Sequence, residues 1–208
     1  MHNNLPKYYH FISKFEKDDI KNLNKNIAII YRNYNQKIDI NLIKSIKNFL
    51  KKKKTKFFLA NNLKIAIKLN LDGVYIPSFN KSLKINLYSK KKNFIILGSA
   101  HNFKEIKIKE KQGAVAIFLA PIFKTNKTKK LLGNLRFNML TKMTNKKLIA
   151  LGGINQKNIQ KLRILKAYGF ASISFLKNTD KTYISRMIEK HTQHINNVKI
   201  KNERNTKF

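Results

Sequence analysis

The sequence predicts an α/β chain folded as a single compact (β/α)8, or TIM, barrel, and three observations carry that prediction. Short apolar runs alternate with amphipathic stretches eight times along its 208 residues, which is the order a parallel sheet needs because each strand must be followed by a crossover. Gly98, Pro121, Gly152 and Gly153 all stand at or just past the end of an apolar run, where barrels of this kind place their ligand loops. No linker rich in Gly, Ser or Pro divides the middle of the chain, so residues 1–191 read as one domain.

The strands are expected at Tyr8 to Ser13, Ile27 to Tyr31, Lys56 to Ala60, Gly73 to Ile76, Phe94 to Ser99, Val115 to Leu119, Leu148 to Leu151 and Ala171 to Phe175. Each is a run of β-branched and aromatic residues too short for a helix. Helical spacing falls between them, over Lys17 to Asn24, Asn41 to Lys53, Leu63 to Leu69, Lys81 to Ser89, Lys104 to Gln112, Gly133 to Met143, Gln156 to Ala167 and Lys181 to His191. Residues 192–208 are polar and basic with no apolar face to dock and read as a frayed tail.

Composition narrows the function. The chain has no cysteine, which removes disulfides and thiolate metal sites and fits a reducing compartment. Its start is polar, and its most apolar run, Ala114 to Phe123, is too short to span a bilayer and carries a proline. A cytoplasmic protein with no membrane partner is therefore expected. The net charge of +35 invites nucleic acid, since phosphates release counterions to such a surface. Yet the charge is nearly all lysine, with arginine only at positions 32, 136, 163, 186 and 204, whereas base and phosphate readers favour the arginine fork. Lysine, asparagine and isoleucine are raised together along the whole chain, so no specific nucleic-acid partner is expected. Runs such as Lys51 to Lys54 and Lys90 to Lys92 read as solvated helix ends.

The stretch "LIALGGINQKNIQ" holds Gly152 and Gly153 between an apolar run and a helical pattern. A plain strand-to-helix turn would account for it. The position, after the seventh strand, favours an anion site instead, because barrels bind phosphate there and open amides at a helix start attract it. The end of the eighth strand, around Ile173 and Ser174, would complete the cradle, with a helix starting near Asn155 or Gln156 aimed at the phosphate.

At these strand ends the chain resembles the thiamine phosphate synthase family, which includes a thiazole tautomerase branch. "FFLANN", "DGVYIP", "ILGSAH", "FLAPIFKT", "LIALGGIN" and "GFASIS" occur in that family's order and spacing over Tyr8 to Leu176. The resemblance implies a barrel that joins hydroxymethylpyrimidine diphosphate to thiazole phosphate with release of pyrophosphate and with magnesium. It carries over unevenly. Of the family's Gln-x-Arg-x-Lys after the second strand only Arg32 remains, with Tyr34 in the lysine's place. The two aspartates that would hold magnesium fall on Asn62 and Asn80, whose neutral amides should hold the ion weakly. Thr125 keeps the first threonine of Thr-x-Thr-Lys, and Lys127 stands one place early.

The resemblance thus assigns catalytic roles to Arg32, Lys127 and His101, and substrate or phosphate contacts to Thr125, Gly152, Gly153, Ile173 and Ser174. His101 lies one residue before the tautomerase branch's proton-shuttling histidine; capping of the following helix is its competing role. Asp72 precedes its strand at the opposite barrel face and reads as structural. The leading expectation is an enzyme of thiamine biosynthesis, a divergent synthase or a tautomerase-like relative. A non-catalytic barrel that binds a phosphorylated ligand is the alternative that the lost aspartates favour.

Overall fold

Eight parallel strands pair in chain order and close on themselves, the first meeting the eighth. This computed structural model describes residues 5–21, 23–88, 91–125 and 131–178, together with Thr182 and Arg186. The strands are β1 (Tyr8–Ile12), β2 (Ile27–Tyr31), β3 (Phe57–Ala60), β4 (Gly73–Ile76), β5 (Ile95–Ala100), β6 (Ala116–Leu119), β7 (Lys147–Leu151) and β8 (Gly169–Ser172). Seven stand within a residue of their expected bounds. The eighth starts two residues early and ends at Ser172, because Gly169, which reads as a loop residue, is taken into the sheet. There β8 lies so close to the first strand's entry that a Cβ at Gly169 would sit 1.8 Å from the Lys7 carbonyl oxygen.

Alternation along the strands sorts the apolar residues into two layers. Tyr9, Phe11, Ala28, Ile30, Phe58, Tyr75, Leu97, Phe118, Ile149 and Ala171 point inward and fill the barrel. Their neighbours Tyr8, Ile29, Leu59, Val74, Ile96 and Ile117 meet the outer layer. The inner plug is aromatic: Phe118 packs edge-on against Tyr9, Phe11 and Tyr75 at centroid distances of 4.9, 5.9 and 5.4 Å. The bore of the barrel is therefore filled by side chains, and the ligand loops of such barrels lie above it, at the strands' C-terminal ends.

The outer layer holds α1 (Lys17–Ile20), α2 (Ile40–Lys52), α3 (Leu63–Lys68), α4 (Phe103–Lys111), α5 (Gly133–Lys142) and α6 (Phe175–Asn178). In α2, Asp39 caps the first turn by accepting the N–H groups of Asn41 and Leu42, and Ile43, Ile46 and Leu50 bury one stripe. Each such side chain contributes roughly 1.5–3 kcal/mol through burial, so packing rather than propensity holds this lysine-rich helix. The first helix is a single turn instead of Lys17 to Asn24.

Two expected helices, Lys81 to Ser89 and Gln156 to Ala167, are instead 3₁₀ segments at Leu83–Tyr88 and Ile159–Ile164. In the second, Asn155 Oδ1 accepts the N–H of Lys157 and Asn158, and Asn158 Oδ1 accepts that of Asn155. These side-chain bonds turn the chain where an α-helix would begin. The expected helix Lys181 to His191, apart from Thr182 and Arg186, and the tail 192–208 lie outside the described residues. Among the described residues no helix is long and apolar enough to cross a membrane.

Candidate functional site at the mouth of the barrel

At the exits of β7 and β8 the main chain does most of the work. Gly152 and Gly153 have φ of +93° and +72°, a region that L side chains avoid. What presses against them is the exit of β6: a Cβ on Gly153 would lie 2.6 Å from the carbonyl oxygens of Phe123 and Lys124, and one on Gly152 would lie 2.9 Å from Pro121. The Phe123 N–H donates to the Gly152 carbonyl at 3.1 Å. The glycine pair thus admits the Pro121–Lys124 segment, and any anion is left with the N–H side of the turn.

That side is open. Gly153 and Ile173 each lie two residues beyond Leu151 and Ala171, the last pair between β7 and β8, so both belong to the adjacent exits of those two strands. The N–H groups of Gly153, Ile173 and Ser174 have no acceptor among the described residues, and Ile173 and Ser174 are exposed. The α-helix expected at Gln156 is absent, and the amides of Asn155, Lys157 and Asn158 are already taken by side chains. Asn158 Nδ2 also donates to the Gly153 carbonyl at 2.7 Å and fixes the turn. Thr125 stands half-buried at the end of the β6 exit; Lys127 lies outside the described residues.

Arg32 shares a cleft with Ile173. Its guanidinium carbon sits 4.9 Å from the centroid of the Phe11 ring, a cation–π contact, and its N–H donates to the Ile12 carbonyl. The cleft, of about 190 Å³, is also lined by His10, Ser13, Lys14 and Asp19. His10, to which the sequence alone assigns no role, is buried, with Nδ1 3.3 Å from the Ser172 carbonyl oxygen. Beneath Arg32, burial raises the Tyr75 hydroxyl's pKa, against a hydrogen bond with Ser99 and the nearby guanidinium.

The β3–β4 side of the mouth is built from side chains. Asn62 Oδ1 caps α3 by accepting the Ile65 N–H at 3.0 Å. Asn80 Oδ1 accepts the Ser82 N–H at 3.0 Å, and its Nδ2 donates to Asn61 Oδ1 at 2.7 Å. Both amide oxygens expected to face magnesium are engaged with backbone donors, and among the described residues no cluster of three His, Cys, Asp or Glu could hold a metal. The residues present do not fit the ion.

Tyr34 and Phe79 bridge the β2 and β4 exits edge-on at 5.5 Å, and burial raises the Tyr34 hydroxyl's pKa. Behind this loop, Lys109 of α4 is fully buried, its methylenes packed over Gly98. Burial pushes its ammonium down to about 8, against the opposing pull of Glu105.

His101 is turned away from the cleft. Its backbone N–H and its Nδ1 both meet Glu105 Oε2, at 2.8 and 2.9 Å, while Asn102 Oδ1 caps α4 by accepting the Glu105 N–H at 3.0 Å and Asn102 Nδ2 donates to Glu105 Oε1 at 3.1 Å. The structure thus brings Arg32, Ile173, Gly153 and Ser174 to one side of the mouth, puts Asn62 and Asn80 on another, and leaves His101 on the rim. Asp72 has the structural place expected for it, with Oδ2 accepting the Phe57 N–H at the opposite face.

Fold and site together define a (β/α)8 barrel whose mouth offers main-chain donors between β7 and β8. The family described as thiamine monophosphate synthase matches residues 23–176, and the chain belongs to that family. A thiamine-phosphate synthase of Prochlorococcus marinus (strain AS9601) is 35% identical over 161 residues, which is 73% of this chain but 44% of that longer protein. One from Flavobacterium johnsoniae is 29% identical over 174 residues, 79% of this chain and 82% of that protein. The solved thiamine phosphate pyrophosphorylase of Pyrococcus furiosus superposes with a TM-score of 0.74 at 19% identity, covering 93% of this chain and 98% of its own, a likeness of fold.

Proposed function

We propose that the chain serves thiamine biosynthesis by holding a thiazole phosphate at the barrel mouth, with the phosphate on the N–H groups of Gly153, Ile173 and Ser174. The observation that carries this reading is the set of three main-chain donors with no acceptor among the described residues, at the adjacent exits of β7 and β8. Such groups bind an anion without needing a particular side chain. Arg32, in the cleft that Ile173 also lines, adds a positive charge on the same side. The family to which the chain belongs and the printed names of its relatives support thiazole phosphate as the ligand.

A second reading, full synthase turnover, is favoured by those same names and by Arg32 itself, whose charge could stabilise a departing pyrophosphate. Against it stand the committed amides of Asn62 and Asn80 and the aromatic Tyr34 in place of a cation. Exposed Lys44, Lys64, Lys104, Lys142 and Lys161 ring the barrel on successive outer elements, which supports a diffuse basic surface over a nucleic-acid face.

The test is calorimetry with thiazole phosphate on the unsubstituted chain and on Ser174→Asp, which puts a carboxylate beside the donors on an exposed position. The affinity should fall at least about tenfold, about 1.4 kcal/mol, with the unfolding midpoint unchanged. Undiminished binding would place the phosphate elsewhere. Adding hydroxymethylpyrimidine diphosphate with and without magnesium, and following pyrophosphate release, separates the two readings.

A further inference from the structure

We propose that Lys109 is a positioning residue for the mouth: its buried ammonium fixes the Pro77–Ser82 loop, and through that loop it places Phe79 and Asn80. The inference concerns the loop and holds whatever ligand the mouth takes.

The geometry is that of a three-pronged pin. Lys109 Nζ donates to the carbonyl oxygens of Pro77 and Asn80, both at 2.7 Å, and to Gln112 Oε1 at 2.9 Å. An ammonium has three N–H donors and no acceptor, so the three acceptors satisfy it fully. Gln112, itself fully buried, turns its Nε2 onto the carbonyls of Asn80 and Ser82 at 2.9 and 3.0 Å. Three carbonyls of a short loop are thereby held from behind by one helix. Charge-assisted bonds of this kind are stronger than neutral ones, and β5 brings no charged side chain against them.

The loop's other side faces the mouth. Asn80 clasps Asn61 at the exit of β3, and Phe79 meets Tyr34 at the exit of β2. Phe79 is 62% exposed, so little apolar burial holds it in place. Without the pin, the loop's carbonyls could turn to water, and the Asn61 clasp and the Tyr34 contact would go with them. The barrel beneath has its own aromatic core and does not depend on the loop.

That separation provides the test. Lys109→Met keeps the side chain's bulk and removes the donors. The thermal midpoint should shift little, while amide exchange at Asn80 and Ser82 becomes at least about tenfold faster and exchange in the strands is unchanged. The chain has no tryptophan, so Phe79→Trp installs a single indole whose quenching should rise in the same variant. A folded Lys109→Met with unchanged exchange and quenching would overturn the proposal. Should that variant fail to fold, Gln112→Leu removes two of the loop's bonds and is read in the same way. In the unsubstituted chain, the Asn80 and Ser82 amides should exchange well below the rate of an open loop; unprotected exchange there also overturns it.

Discussion

The two sides of the mouth are built on different principles. Between β7 and β8 the donors are main-chain N–H groups held by a glycine turn, and their chemistry depends on where the backbone goes. Around the β3 and β4 exits everything rests on side chains: an aromatic pair reaching from Tyr34 to Phe79, an amide clasp and a buried lysine. The first side keeps the features that its family resemblance implies, and the second departs from them. A recognition site made of backbone survives any substitution that preserves the turn. One made of carboxylates is lost as soon as Asn62 and Asn80 lack charge.

The largest effect should come from breaking the backbone side. Gly153→Val imposes a β-branched side chain on a φ of +72° and drives its Cβ into two carbonyl oxygens. A destabilisation of about 3 kcal/mol in urea unfolding is expected, with displacement of the β6 exit. A loss near zero would mean that the turn relaxes freely and that the glycines are not required by packing.

The side-chain half is sharpened by returning charge to it. Magnesium should bind the unsubstituted chain weakly, because both amide oxygens are engaged and neither carries charge. Asn62→Asp retains the helix cap, since aspartate caps as well as asparagine. Asn80→Asp loses the bond donated to Asn61. The double substitution should raise magnesium affinity in calorimetry at least about tenfold. Tight binding by the unsubstituted chain would show that the ligands lie elsewhere.

The legible part of the fold was what alternation encodes. Val74 and Tyr75, or Ile29 and Ile30, announce opposite faces of a strand, so all eight strands were readable, and only β8 was displaced, by a glycine that packs instead of turning. The 3₁₀ segment at Ile159–Ile164 was not readable from apolar spacing, because Asn155 and Asn158 redirect the backbone through side-chain bonds that no periodicity reports. At the site, the open amides could be expected from the glycine pair and the strand order. The Lys109 pin could not, since a lysine among so many lysines carries no signal until Gly98 and the Pro77 carbonyl are seen around it. His101 was legible only as two alternatives, and the sequence did not show that Glu105, four residues on, is its partner.

An effect that depends on pH follows from that buried lysine. Its ammonium is held near 8 in the folded chain, below the ordinary 10.5. Between those values the unfolded chain binds more protons, so the contribution of Lys109 to stability rises with pH across about 8 to 10.5. The stability of the unsubstituted chain relative to Lys109→Met should therefore increase from pH 8 to pH 10.5 and stay level below pH 7. Urea midpoints of both proteins across that range give the answer; a flat difference would mean that burial does not strain the charge.

The comparison is tested most directly by an amide NMR titration of the unsubstituted chain with thiazole phosphate. A backbone cradle predicts saturable shifts that are largest at the N–H groups of Gly153, Ile173 and Ser174, with smaller changes at Arg32 and none at Asn62. Shifts centred on the Asn61–Asn80 side, or no saturable shift at the three amides, would contradict it.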